Sequence, residues 1–243
     1  MLPLIQLQQI SFAYPGSNQL LLNQIDITYS YRQRIGLVGA NGSGKTTLLH
    51  LIMGLVRPTA GQLLFKGNEM RSKEDFRKLR RSIGLVFQDA DDQLFSPTVL
   101  EDVAFGPLNI GLSQQEALRV SRETLKYLGL LHLENRVTHQ LSGGEKKLVS
   151  LATILSMQPE VMLLDEPSNN LDTATRARLI SILNRLNMGY IIISHDWDFL
   201  SETCAEVYTL HEGKIIQSST ECLHSHHHAH RLGNCPHAHE HEE

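Results

Sequence analysis

The 243-residue chain has little that would tie it to a bilayer interior, a nucleic acid or an oxidising compartment. No stretch approaches the roughly 20 apolar residues that cross a membrane. The opening MLPLIQLQQISFAYPG lacks a basic n-region and a small-residue cleavage site, so no signal peptide is expected. The three cysteines, Cys204, Cys222 and Cys235, are widely spaced and odd in number, which argues against a disulfide framework and for a reducing cytosol. No basic patch is present and the net charge is −4 with His neutral, so no nucleic-acid partner is expected. No internal repeat is evident. These absences leave a soluble intracellular protein, and an apolar share of 41% is enough to bury a sizeable core.

Short apolar runs punctuated by glycine alternate with longer helical patterns, which indicates α/β architecture. The early runs, around Leu4–Phe12, Ile25–Tyr31 and Gln62–Phe65, alternate or lie close together and read as largely antiparallel strands. The later runs, Ile35–Val38, Ile83–Phe87, Val161–Leu164 and Tyr190–Ile193, are more continuously apolar, as parallel strands covered on both faces must be. Between about Asp89 and Gln158 the strand signal disappears. Ser113-Gln-Gln-Glu116 has the form of a capping box opening a helix towards Leu128, with a stop at Gly129. That segment is expected to be a helical subdomain, about 89–158, inserted in a domain spanning 1–222. From residue 223 to 243 the chain is low in complexity and is expected to form a flexible tail.

Gly39-Ala-Asn-Gly-Ser-Gly44-Lys45-Thr46 fits G-x-x-x-x-G-K-[ST], after the apolar run Ile35–Val38 and before an apolar helix over Thr47–Met53. In such a loop, Gly39, Asn41, Gly42, Ser43 and Gly44 let successive N–H groups turn towards a phosphate, and the helix N-terminus adds partial positive charge. Lys45 would reach the β- and γ-phosphates, with Thr46 as a Mg²⁺ ligand and Thr47 beside it. Val161-Met-Leu-Leu-Asp165-Glu166 delivers two carboxylates at a strand's C-terminal end, where ligands of open α/β sheets bind. Asp165 would hold Mg²⁺ through water, and Glu166 would orient or deprotonate the attacking water.

Leu141-Ser142-Gly143-Gly144-Glu145, followed by a helical stretch over Lys146–Ser156, resembles the signature motif of ABC ATPases. The resemblance covers roughly residues 4 to 216. It implies a P-loop NTPase fold with a RecA-like core, an antiparallel β subdomain and the helical insertion. It also implies ATP and Mg²⁺ as cofactors, and a homo- or heterodimer in which the signature faces the γ-phosphate bound by the opposite subunit. Tyr14 resembles the aromatic that stacks on adenine. Gln88, expected at the end of the Ile83–Phe87 strand, resembles the glutamine that senses Mg²⁺ and the γ-phosphate. Asn169-Asn170-Leu171-Asp172 resembles the D-loop, and His195 the switch histidine. Leu148 stands where the family often has a basic residue.

Asp91-Asp-Gln-Leu-Phe-Ser-Pro-Thr-Val-Leu-Glu-Asp-Val-Ala-Phe-Gly-Pro107 resembles the energy-coupling-factor (ECF) transporters, especially their cobalt and nickel import ATPases. That resemblance implies a peripheral subunit on the cytoplasmic face of the cell membrane, partnered by a transmembrane T component and a metal-binding S component. Leu94, Phe95, Val99 and Phe105 would form an apolar docking groove. Eight histidines, His224, His226, His227, His228, His230, His237, His239 and His241, offer imidazoles suited to Ni²⁺ or Co²⁺. Rival readings are a vitamin-importing ECF ATPase, a soluble ABC protein of translation or DNA repair, and a metal-storage role for the tail. The second usually carries two cassettes or a long coiled-coil insertion, and this sequence has neither.

Overall fold

The computed structural model describes residues 3–17 and 19–218. The first sheet is antiparallel, in the order β2-β1-β4-β5, from β1 (Ile5–Phe12), β2 (Leu22–Tyr29), β4 (Ala60–Phe65) and β5 (Asn68–Glu69). The second has the order β10-β9-β3-β8-β7-β6, from β3 (Arg34–Val38), β6 (Ile83–Val86), β7 (Val161–Asp165), β8 (Gly189–Ile193), β9 (Glu206–His211) and β10 (Lys214–Ser218). Its strands are parallel except for β10, which turns back on β9.

The parallel strands are continuously apolar because two cores claim alternate residues. Val161 and Leu163 of β7 join the core under the antiparallel sheet, together with Leu48, Leu49 and Ile52 of α1 (Lys45–Ile52). Met162 and Leu164 face the opposite core, shared with α5 (Gly143–Leu155), α6 (Thr173–Arg185) and α7 (Trp197–Thr203). All five residues of β7 are buried, so the strand can carry its two functional positions only at its end. Leu148 lies on α5 with 2% exposure inside this second core, where an apolar residue suits the packing.

Three expected boundaries shift for local reasons. The strand expected over Ile25–Tyr31 runs Leu22–Tyr29, because Ser30 accepts from Gln33 N and the chain turns at Arg32, φ +62°. The strand expected to reach Phe87 stops at Val86, since the Phe87 N–H is taken by Gln93 Oε1 at 3.1 Å. Gln88 therefore begins a loop. The helix expected over Thr47–Met53 starts at Lys45, directly after the glycine loop.

Between β6 and β7, α3 (Val99–Asn109) and α4 (Gln114–Tyr127) open on capping boxes, Thr98–Glu101 and Ser113–Glu116. α3 passes close to the end of α5: a Cβ built on Gly106 would stand 2.5 Å from Met157 Cγ, so a larger residue there would have to push the Met157 side chain aside. The expected docking groove is corrected here. Leu94 and Val99 are core residues, 8% and 0% exposed, while Phe95 (65%) and Phe105 (47%) face outwards in an edge-to-face pair. The start of α3 at Thr98 sets this phase, turning Val99 and Val103 inwards and Phe105 and Leu108 outwards.

Candidate nucleotide site

The loop from Gly39 to Gly44 joins β3 to α1 under tight backbone constraint. β9 runs beside β3, so a side chain on Gly39 (φ +153°) would place its Cβ 2.4 Å from Leu210 O. Gly44 caps α1 with φ +106° and no side-chain bond, leaving the helix's first N–H groups for a ligand. Lys45 Nζ donates to Gly39 O (2.8 Å) and Ala40 O (3.1 Å), folding its cation over the loop. Burial lowers the Lys45 pKa, and Glu166 and Asp165 oppose that shift.

Parallel pairing of β7 with β8 sets Asp165 opposite Ile193, so the residues just beyond both strands share one edge. Thr46 Oγ1 donates to Asp165 Oδ2 at 2.7 Å. Asp165 Oδ1 is buried without a hydrogen-bond partner. Glu166 turns away from the strand at φ +46°, a left-handed conformation uncommon for a residue with a Cβ, and donates its N–H to Ile193 O (2.9 Å). Its carboxylate, 5% exposed, accepts from His195 N at 3.3 Å. Its Oε1 lies 3.2 Å from His195 Nε2 but lacks hydrogen-bond geometry. Burial pushes the Glu166 pKa up, partly offset by His195 and Lys45. The orphaned Asp165 oxygen beside the Thr46 hydroxyl is a hard oxygen donor set, which fits Mg²⁺.

A cleft of about 550 Å³ collects these groups. Asn41, Gly42, Gly44, Lys45, Thr46 and Thr47 form its floor, and Gln88, Asp165, Glu166 and His195 close the far side. Tyr14 stands at the mouth, its hydroxyl 2.9 Å from Thr47 Oγ1 and its ring edge-to-face with Phe12. Ser43 lies in an adjoining hollow that Tyr14 and Gly42 share, its Oγ buried and unpartnered.

The signature residues stand apart from this cleft. Ser142 caps α5 in a reciprocal box: its N–H and Oγ donate to Glu145 Oε2 (both 2.8 Å), and its Oγ accepts from Glu145 N (3.3 Å). Gly144 packs against Thr175 of α6, and Gly143 lines a neighbouring cleft of about 710 Å³. Asp172 caps α6, accepting from Ala174 N, Thr175 N and Thr175 Oγ1. Its carboxylate is thus engaged by its own helix. The tail histidines His224 to His241 lie outside the described residues.

Leu21, Ile193 and Asn169 also line the nucleotide cleft. Sequence reasoning left these out as site residues, although Asn169 sits three positions past Glu166 in a motif already noted.

Residues 22–169 match the ABC transporter family. The chain belongs to it. It is 52% identical over 98% of its length to an ABC transporter ATP-binding protein of Nitratidesulfovibrio vulgaris, covering 86% of that protein. It is 41% identical to the energy-coupling factor transporter ATP-binding protein EcfA of Methanothermobacter thermautotrophicus, covering 89% of this chain and 71% of EcfA. Among solved structures it resembles cbiO1 of Clostridium perfringens, part of the ABC transporter complex cbiONQ (TM-score 0.80, 34% identity, 89% of this chain and 88% of that one). It also resembles the cassette MJ0796, a dimer bound to ADP and Pi after hydrolysis (TM-score 0.79, 25% identity, 88% and 97%). The resemblance to ABC ATPases, and to their ECF branch, holds, and so does the mixed α/β nucleotide-binding fold. This ABC cassette is an ATPase whose cofactors are ATP and Mg²⁺. No helix among the described residues is long and apolar enough to cross a membrane.

Proposed function

We propose that this ABC protein drives an ECF-type importer of nickel or cobalt from the cytoplasmic face of the cell membrane, as a dimer docked on a T component beside a metal-binding S component. The ATPase domain is assigned to 1–222, with 89–158 as its helical subdomain, and 223–243 to a metal-binding tail. The observation that carries the enzymatic part is the meeting of Thr46, Asp165, Glu166 and His195 at one sheet edge. The importer part rests on the exposed Phe95–Phe105 pair, the kinship with EcfA and the eight tail histidines.

In this reading the loop amides of Gly39 to Gly44 and the Lys45 ammonium bind the β- and γ-phosphates, and Tyr14 stacks on adenine. Thr46, Asp165 and Gln88 hold Mg²⁺, which when bound neutralises charge on the phosphates. Glu166 takes a proton from the attacking water, and its raised pKa makes it a better base than an exposed glutamate. His195 contacts the γ-phosphate. Ser142, Gly143, Gly144, Glu145 and Asp172 act on the nucleotide held by the opposite subunit.

The assembled transporter, purified through this subunit, should contain a small multi-helix membrane protein and take up Ni²⁺ or Co²⁺ with ATP. Vitamin uptake instead would move the chain to the vitamin-importing branch, and absence of any membrane partner would overturn transport. Truncation after about Glu221 should leave ATP binding and Tm nearly unchanged but remove most Ni²⁺ or Co²⁺ binding. In the intact protein that binding should weaken as pH falls through about 6.5, the ordinary imidazole pKa. Calorimetry giving equal metal binding with and without the tail would remove it from the proposal.

A further inference from the structure

α5 starts at the signature serine, and its first three turns reach back to the hydrolytic edge of the same chain. Lys146 Nζ pairs with Asp91 Oδ1 at 2.5 Å. Gln93 Nε2 donates to Ser150 O (2.8 Å) and Thr153 Oγ1 (2.7 Å), while Gln93 Oε1 accepts from Phe87 N. These bonds tie the segment after β6, which carries Gln88, to one face of α5. Lys147 makes a connection of another kind. Its ammonium donates to Gln88 O and, at 3.3 Å, to Glu166 O, joining the segment after β6 to the end of β7.

We propose that Lys147 is a positioning residue for hydrolysis: it fastens the backbones of Gln88 and Glu166 to the signature helix, so that engagement of Ser142 by the opposite subunit's nucleotide is felt at this chain's own hydrolytic site.

Four features give this contact its weight. The Glu166 backbone is held in a left-handed conformation that persists only where surrounding bonds dictate it. Ile193 O takes its N–H, and Lys147 takes its C=O. Lys147 is half-buried, and Asp89, Asp165 and Glu166 act on its charge against the effect of burial. Lys147 is not among the residues lining the nucleotide cleft, although its own cleft shares Thr46, Gln88 and Asp165 with it. Its hydrogen bonds go to Gln88 O and Glu166 O and not to the Gly39–Gly44 loop, so its loss should bear on the rate more than on ATP affinity. Lys147 lies five residues past Ser142 on a single helix, and a helix transmits a tilt at one end as a displacement along its length. This relay rests on the dimer reading given above, and the test separates the two.

The experiment compares Lys147→Met, Lys147→Arg and the control Lys146→Met in the full-length subunit. It reads kcat, KM for ATP, the Hill coefficient of the rate, Tm and the ATP-dependent dimer formed in a Glu166→Gln background. Lys147→Met should lower kcat by about tenfold or more with KM changed less than about twofold, the pattern of a group acting on the transition state alone. Its Hill coefficient should fall towards that of independent sites, at a Tm close to wild type. Lys147→Arg, which keeps cationic donors, should recover most of the rate, and Lys146→Met should stay near wild type. A Lys147→Met enzyme with wild-type kcat would overturn the proposal. So would a loss that follows Tm and is not rescued by arginine, or an equal loss in Lys146→Met. If Glu166→Gln alone forms no ATP-dependent dimer, the dimer reading falls and the relay with it. Normal dimers with unchanged Lys147→Met kinetics would sink the relay alone.

Discussion

Two glycine-rich helix N-termini in this protein solve the same problem in opposite ways. At α1 no side chain caps the helix, and three buried polar atoms nearby, Ser43 Oγ, Asp165 Oδ1 and Glu166 Oε1, have no hydrogen-bond partner. At α5 the exposed Ser142 and the half-buried Glu145 close on each other, satisfying cap and carboxylate together. Two of the unpartnered atoms at the first end are carboxylate oxygens, which accept from water or ligate a cation such as Mg²⁺, and the third is a hydroxyl that can donate to a phosphate. The second end is already content and meets a ligand only by giving up its own bond. In the proposed reading the first end binds nucleotide within one subunit, and the second responds when an opposite subunit brings nucleotide to it.

The sharpest way to break this comparison is at the α1 side. Glu166→Gln should keep ATP binding and lose roughly 10²- to 10⁴-fold in turnover, the usual worth of a positioned general base, while trapping a closed dimer on ATP. Near-wild-type steady-state rates would remove Glu166 from that role. The same substitution should raise stability. Because burial lifts the Glu166 pKa, the folded chain keeps that proton to higher pH than the unfolded chain does. Wild-type stability thus declines as pH rises from the ordinary carboxyl range through the raised folded value. The glutamine variant lacks this decline, so its Tm advantage should open with rising pH and close in acid. A gain of about 1 kcal/mol would appear as about 2–4 °C in a chain of this size.

At the α5 side, Ser142 offers a way to separate cap from site. Ser142→Ala should cost about 1 kcal/mol through the lost cap, whereas Ser142→Asn keeps an N-cap acceptor and should melt near wild type. Both variants remove the hydroxyl that would meet the opposite nucleotide, and losing one preorganised donor typically costs roughly 10²–10³ in kcat. ATP affinity of the single subunit, measured by calorimetry, should be unchanged in both. If Ser142→Asn hydrolyses ATP normally, the hydroxyl is only a cap.

How far the sequence could be read differs between the two regions for physical reasons. The Gly39–Thr46 loop and the Val161–Glu166 strand were legible because each strand is buried on both faces and must be continuously apolar up to its functional end. The short β5, with two residues, has no pattern to detect. α2 (Lys73–Ser82) went unmarked although Ser72 and Asp75 form a capping box, because its apolar content is low and Leu79 is its one fully buried residue. β9 went undetected because its burial is mixed, and residues 214–216 of β10 include no buried one. Leu94 and Val99 were misassigned because hydrophobicity alone does not tell a docking face from a core face, and only the phase set by Thr98 does. Lys147 was passed over for a related reason. A lysine on a helix ordinarily reads as a solvated charge, and nothing local shows that Gln88 and Glu166 are brought to it from beyond the ends of two strands.

The smallest expected effect lies at the mouth of the α1 cleft, where the structure splits Tyr14 into a ring and a hydroxyl. On the proposed adenine stack, worth about 1–3 kcal/mol, Tyr14→Ala should raise KM for ATP roughly 5- to 150-fold with kcat less affected. An unchanged KM would mean that another residue holds the base. Tyr14→Phe keeps the ring, and its edge contact with Phe12, but loses the 2.9 Å bond to Thr47 Oγ1. A neutral bond of this kind is worth about 0.5–1.5 kcal/mol net, which bounds the KM increase at about tenfold. Thr47→Val, cutting the bond from its other end, should shift KM by a similar amount, and the double variant should cost little more than either single change. Additive shifts would show that the two hydroxyls act separately and that Thr47 does not set the angle of the ring.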